Sequence, residues 1–127
     1  MKKEIISTNN APQAIGPYSQ AVKANGFIFL SGQIPLDPAT GSVVEGGIKE
    51  QTERVMMNIK SVLDAAGADM KAVVKTTIYL TDLSDFSTVN EIYGNYFREN
   101  PPARAAVEVS SLPKGVKVEI EAVALAA

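Results

Sequence analysis

Arg104 and Glu119 are the two side chains best placed to act on a small acid. They sit in two alternating segments near the C-terminus, Pro102-Ala103-Arg104-Ala105-Ala106-Val107-Glu108-Val109 and Val118-Glu119-Ile120. A guanidinium is a planar set of donors that matches a carboxylate with two parallel hydrogen bonds. A glutamate can take a proton from water and return it. Ala105 and Ala106 leave room for a small ligand beside Arg104. The same residues also have a plain structural reading. Arg104 can pair across strands with Glu119 or Glu121, and Glu119 alone reads as an ordinary outward strand residue.

Other positions offer polar or permissive groups. Ile15-Gly16-Pro17-Tyr18-Ser19 sets a tyrosine directly after a Gly-Pro turn, where its ring could close a pocket or simply pack in the core. Leu30-Ser31-Gly32-Gln33 ends an apolar run with a hydroxyl and a glycine, which lets backbone N–H groups approach a ligand or merely terminates a strand. Asn90, among apolar neighbours, could bond a ligand or cap a loop. Gly46-Gly47 lacks the following Lys and Ser/Thr of a phosphate loop and reads as a turn.

Composition narrows the chemistry. There is no Cys, His or Trp, which removes disulfides, thiol nucleophiles, imidazole mechanisms and the usual zinc sites. No metal or cofactor is expected. The net charge is -2 and the twelve Lys and Arg are scattered, so nucleic acid is a poor default partner. No apolar run approaches the ~18 residues of a membrane span, and the segment after Met1-Lys2-Lys3 lacks the apolar stretch of a secretory signal. A soluble, cytoplasmic protein with one domain over residues 1–127 is the expectation.

Strand periodicity is clearest in Val116 to Ala124, where Val116, Val118, Ile120, Ala122 and Ala124 oppose Lys117, Glu119 and Glu121. In Ala103 to Val109, Ala103, Ala105, Val107 and Val109 oppose Arg104, Ala106 and Glu108. Leu112-Pro113-Lys114-Gly115 supplies turn chemistry between these runs, so an antiparallel hairpin is expected, with Arg104 and Glu119 on its shared polar face. Phe27 to Leu30 and Val73 to Leu80 read as central strands, and short strands are expected near Lys3 to Ser7 and Ser19 to Lys23. Ile48 to Ala66 has the stripe of an amphipathic helix, with Gly67 at its C-cap. A second helix is expected from about Asp85 to Arg98, with Phe86, Val89, Tyr93, Tyr96 and Phe97 able to face a sheet. Pro35 to Gly47 reads as a loop. The order β-β-β-α-β-α-β-β gives an α+β fold, a mixed sheet with two helices on one face. Its uncovered face should meet another subunit.

Five separated motifs together resemble the RidA (YjgF) family of reactive-intermediate imine/enamine deaminases. They are Ala14-Ile15-Gly16-Pro17-Tyr18-Ser19-Gln20-Ala21, Leu30-Ser31-Gly32-Gln33-Ile34-Pro35, Val74-Lys75-Thr76-Thr77 with Leu83-Ser84-Asp85-Phe86, Pro102-Ala103-Arg104, and Leu112-Pro113-Lys114 with Val118-Glu119-Ile120. The resemblance implies a chorismate-mutase-like fold and a homotrimer with ligand sites between subunits. It also implies hydrolysis of 2-imino acids such as 2-iminobutanoate and 2-iminopropanoate to 2-oxo acids and ammonia. By the same resemblance Arg104 matches the residue holding the substrate carboxylate and Glu119 the one associated with water. Tyr18, Ser31, Gly32, Phe86, Asn90, Ala105 and Ala106 are then expected in the substrate pocket. Many relatives carry a cysteine where this chain has Ala106, so thiol-based regulation is excluded there. The alternative is a non-catalytic trimer that binds small carboxylates or acts as a chaperone-like regulator.

Overall fold

The computed structural model describes residues 2–127. Six strands form one sheet: β1 (Glu4–Ile6), β2 (Ala21–Ala24), β3 (Phe27–Gln33), β4 (Val73–Leu80), β5 (Ala103–Glu108) and β6 (Val118–Leu125). Helix α1 (Ile48–Ala65) joins β3 to β4, and α2 (Phe86–Tyr96) joins β4 to β5. The expected element order is present, in an α+β fold. Across the sheet the strands run β1-β2-β3-β6-β4-β5, with β4 and β5 parallel and every other neighbouring pair antiparallel.

Helix α1 begins where the Gly47 N–H donates to Glu50 Oε1 at 2.9 Å. It ends at Gly67, whose φ of +80 suits glycine, with the Gly67 and Ala68 N–H groups donating to the Asp64 and Leu63 carbonyls at 3.0 Å each. Its stripe buries Val55, Met56, Ile59, Val62 and Leu63. Helix α2 is shorter than expected, because Phe97 leaves helical geometry at φ -128, ψ 59. It buries Val89, Ile92 and Tyr93. Both helices pack on the sheet face formed by Ile28, Leu30, Ile78, Leu80, Val118, Ile120 and Ala122. Each such large side chain contributes roughly 1.5–3 kcal/mol on burial. The buried hydroxyls of Thr76 and Tyr93 satisfy each other through a bond of 2.7 Å.

Two expectations fail. Strands β5 and β6 do not form a hairpin, because β4 lies between them. The β4-α2-β5 segment is a crossover unit that lays β5 parallel to β4. The connection after β5 then returns past the end of β4, so that the strongly alternating β6 pairs with both β3 and β4. Arg104 and Glu119 consequently do not share a face. Arg104 is registered with buried Thr76 and lies on the helix side, whereas Glu119 is registered with Tyr79 on the other.

That other face carries no helix. It presents Ile5, Phe27, Phe29, Val107 and Leu125, each 38–52% exposed, with Tyr79, Glu119 and Glu121 among them. Among the described residues, no helix is long and apolar enough to cross a membrane.

Candidate active site

The site residues fall into two sets. The first lines a cleft of about 500 Å³ that includes Tyr18, Ser31, Gly32 and Glu119. The floor of this cleft is a bulge in β3: Leu30 pairs with Ala122 and Gln33 with Ile120, so Ser31 and Gly32 together face a single residue of β6. The bulge is anchored by Ser31, whose N–H donates to the Gln20 carbonyl at 3.0 Å and whose hydroxyl donates to the Ser19 carbonyl at 2.6 Å. Gly32 is set by contact. A Cβ there would clash with Glu119 Oε2, so any side chain would drive the carboxyl out of its seat.

Glu119 is half-buried in this seat. Burial, and secondarily the charge of Glu121, raises its pKa above the usual carboxylate value. Such a group is suited to exchanging protons rather than serving as a permanent anion. Tyr18 reaches the cleft wall because Gly16 adopts φ +136 and accepts a hydrogen bond from the Tyr18 N–H at 2.9 Å.

Buried amides fix the surrounding loops. Gln20 Nε2 donates to the Thr8 and Pro12 carbonyls at 3.0 and 2.8 Å, while its Oε1 accepts from the Thr8 N–H at 2.7 Å. Asn58 on α1 donates to the Ile34 and Leu36 carbonyls at 3.2 and 3.1 Å. Gln51 accepts from the Lys117 N–H at 2.8 Å, just before β6.

The second set lies on the helix side of β5. The Arg104 guanidinium sits over the rings of Phe86 and Tyr93, 5.1 and 5.0 Å from their centroids, and its Nη1 donates to Asn90 Oδ1 at 2.7 Å. These contacts hold the guanidinium plane in one orientation. No carboxylate among the described residues forms an ion pair with it. The cross-strand pair with Glu119 or Glu121 is therefore absent. Ala106 shares the helix side with Arg104, and Ala105 points to the open face.

Within one chain the structure therefore groups Tyr18, Ser31, Gly32 and Glu119, and separately Phe86, Asn90 and Arg104. Sequence reasoning did not assign Tyr93, Gln13, Ile15 or Lys114 to the site. Tyr93 had a signal, since Phe86, Asn90 and Tyr93 fall at i, i+4 and i+7 on one helical stripe. Ile15, 72% exposed on the cleft, and Lys114, at φ +58 on its rim, lay within motifs already marked.

Residues 8–126 match the family described as endoribonuclease L-PSP. A RutC family protein of Pyrococcus abyssi is 60% identical over 98% of each chain. The human 2-iminobutanoate/2-iminopropanoate deaminase is 54% identical over 97% of this chain and 90% of its own length. The crystal structure of E. coli TdcF with bound serine superposes with a TM-score of 0.92 at 42% identity, covering 98% of this chain and 99% of that one. With sequence and fold in agreement over nearly its whole length, the chain belongs to the endoribonuclease L-PSP family, the RidA (YjgF) family.

Proposed function

We propose that this chain is a cytoplasmic deaminase that hydrolyses 2-iminobutanoate, 2-iminopropanoate and related 2-imino acids to 2-oxo acids and ammonia. The observation that carries the reading is Glu119, a carboxyl of raised proton affinity seated on a glycine at the floor of a cleft. The human relative named for this activity supports the substrate class.

The chemistry asks little of the protein. An iminium carbon is already electrophilic, so positioning and proton transfer, worth ~10²–10⁴-fold for the latter, suffice without a covalent nucleophile. Arg104 binds the substrate carboxylate through parallel N–H groups. Glu119 orients a water, accepts its proton as the new C–O bond forms, and returns a proton to nitrogen as the C–N bond breaks. Imine and water become 2-oxo acid and ammonia, and Glu119 ends as it began. Tyr18, Ser31 and Gly32 form the wall on the Glu119 side, with Phe86, Asn90 and Ala106 beside Arg104.

Because the two sets lie on opposite faces of one sheet, we infer that a complete site takes Arg104 from one subunit and Glu119 from the next. The apolar open face supports a homotrimer built through it. The deciding assay generates the enamine in situ with a dehydratase and follows ammonia. Catalytic amounts of this protein are expected to accelerate release, whereas a carboxylate-binding regulator would bind a 2-oxo acid and leave the rate unchanged.

A further inference from the structure

Glu119 has a partner on its own strand. Glu121 projects from the same side of β6, with its Cα about 6.5–7 Å from that of Glu119. The Tyr79 hydroxyl donates to Glu121 Oε1. This bond runs diagonally between strands, since Tyr79 is registered with Glu119 and Thr77 with Glu121.

Neither carboxylate has an ion-pair partner among the described residues. A like charge on the same side of the strand disfavours ionisation of its neighbour. The phenol bond holds the Glu121 carboxylate on the side of β6 that carries Glu119, where its charge, after burial, raises the proton affinity of Glu119. The phenol stays a donor, because the bond to Glu121, followed by burial, raises its own pKa.

The other groups around Glu119 do not supply that charge. Lys114 and Tyr18 reach the cleft from its loops, and β3 brings neutral Ser31 and Gln33. Lys75 on β4 is turned to Thr77 Oγ1 at 3.2 Å. Lys117, ahead of β6, acts on Asp82.

We propose that Glu121 and Tyr79 are positioning residues for Glu119, fixing a negative charge beside it so that Glu119 is the member of the pair that gives and takes the proton. The proposal rests on the deaminase reading, but its first test does not need activity. Carboxyl carbons of the substrate-free protein, labelled with ¹³C-glutamate, are titrated by NMR in wild type, Glu121→Gln and Tyr79→Phe. In Glu121→Gln the Glu119 midpoint is expected to move to lower pH, a several-fold loss of proton affinity. In Tyr79→Phe, which frees the Glu121 carboxylate from its anchor beside Glu119, the Glu119 midpoint is expected to move in the same direction by less. The acid limb of kcat/KM for imine hydrolysis should follow the Glu119 midpoint in each variant. A Glu119 midpoint unchanged in Glu121→Gln overturns the proposal. If Glu121→Gln does not assemble, the milder Tyr79→Phe decides, and an unchanged Glu119 midpoint there is equally fatal. The expected shifts in a protein that releases no ammonia would instead sink the deaminase reading and leave the pairing intact.

Discussion

Arg104→Lys is expected to lose roughly 30- to 150-fold in kcat/KM, ~2–3 kcal/mol of transition-state binding, although the charge is kept. The guanidinium is held over Phe86 and Tyr93 and bonded to Asn90, which presets its remaining N–H groups for a carboxylate. An ammonium is a point charge and offers no second parallel bond from the same plane. The loss should also appear in affinity for a 2-oxo acid, since that ligand carries the same carboxylate. Steady-state kinetics and calorimetry on the folded variant check both. Near-normal activity would show that parallel hydrogen bonding to the substrate is not what Arg104 provides.

Glu119→Gln is expected to lower turnover by roughly 10²–10⁴-fold, the range for a lost acid/base group. The amide keeps the shape that fits against Gly32 but cannot accept the proton of the attacking water. Stability should move differently from activity. Because burial raises the pKa of Glu119 in the folded state, the stability it contributes is fully present below its unfolded pKa. That stability is lost as pH rises through the folded value. Glutamine does not titrate, so at neutral pH and above the variant should melt no lower than wild type. Affinity for a 2-oxo acid should hold, because Arg104 is untouched. Turnover, melting temperature and affinity measured on one preparation separate this from a surface ion pair, which would leave turnover intact.

Period-two alternation and helix caps carried much of the fold. The stripe from Ile48 and the glycine at 67 placed α1, and Val118 to Ala124 placed the central strand β6. Alternation states which residues of one strand share a face, not which strand lies beside it. The turn residues at Leu112 to Gly115 therefore suggested a hairpin, while the β4-α2-β5 crossover had already placed β5 against β4. Once β4 separates the two strands, Arg104 and Glu119 go to opposite faces, a consequence no local pattern records. The contact between Gly32 and Glu119 was equally hidden. It depends on a bulge that joins residues far apart in sequence, and only the pairing of β3 with β6 reveals it.

A site shared between subunits can be tested directly with two variants in one assembly. Arg104→Lys and Glu119→Gln chains, coexpressed with different tags and purified as mixed assemblies, should form species of about three times the 13.5 kDa subunit mass. On the proposed arrangement each site needs arginine from one neighbour and glutamate from the other. Every mixed trimer, whichever variant is in the majority, then has one intact site of its three, so the purified mixed assemblies should restore about one third of the wild-type rate of ammonia release per subunit. A rate no higher than the mean of the two separate variants would contradict a shared site and place the whole chemistry within a single chain.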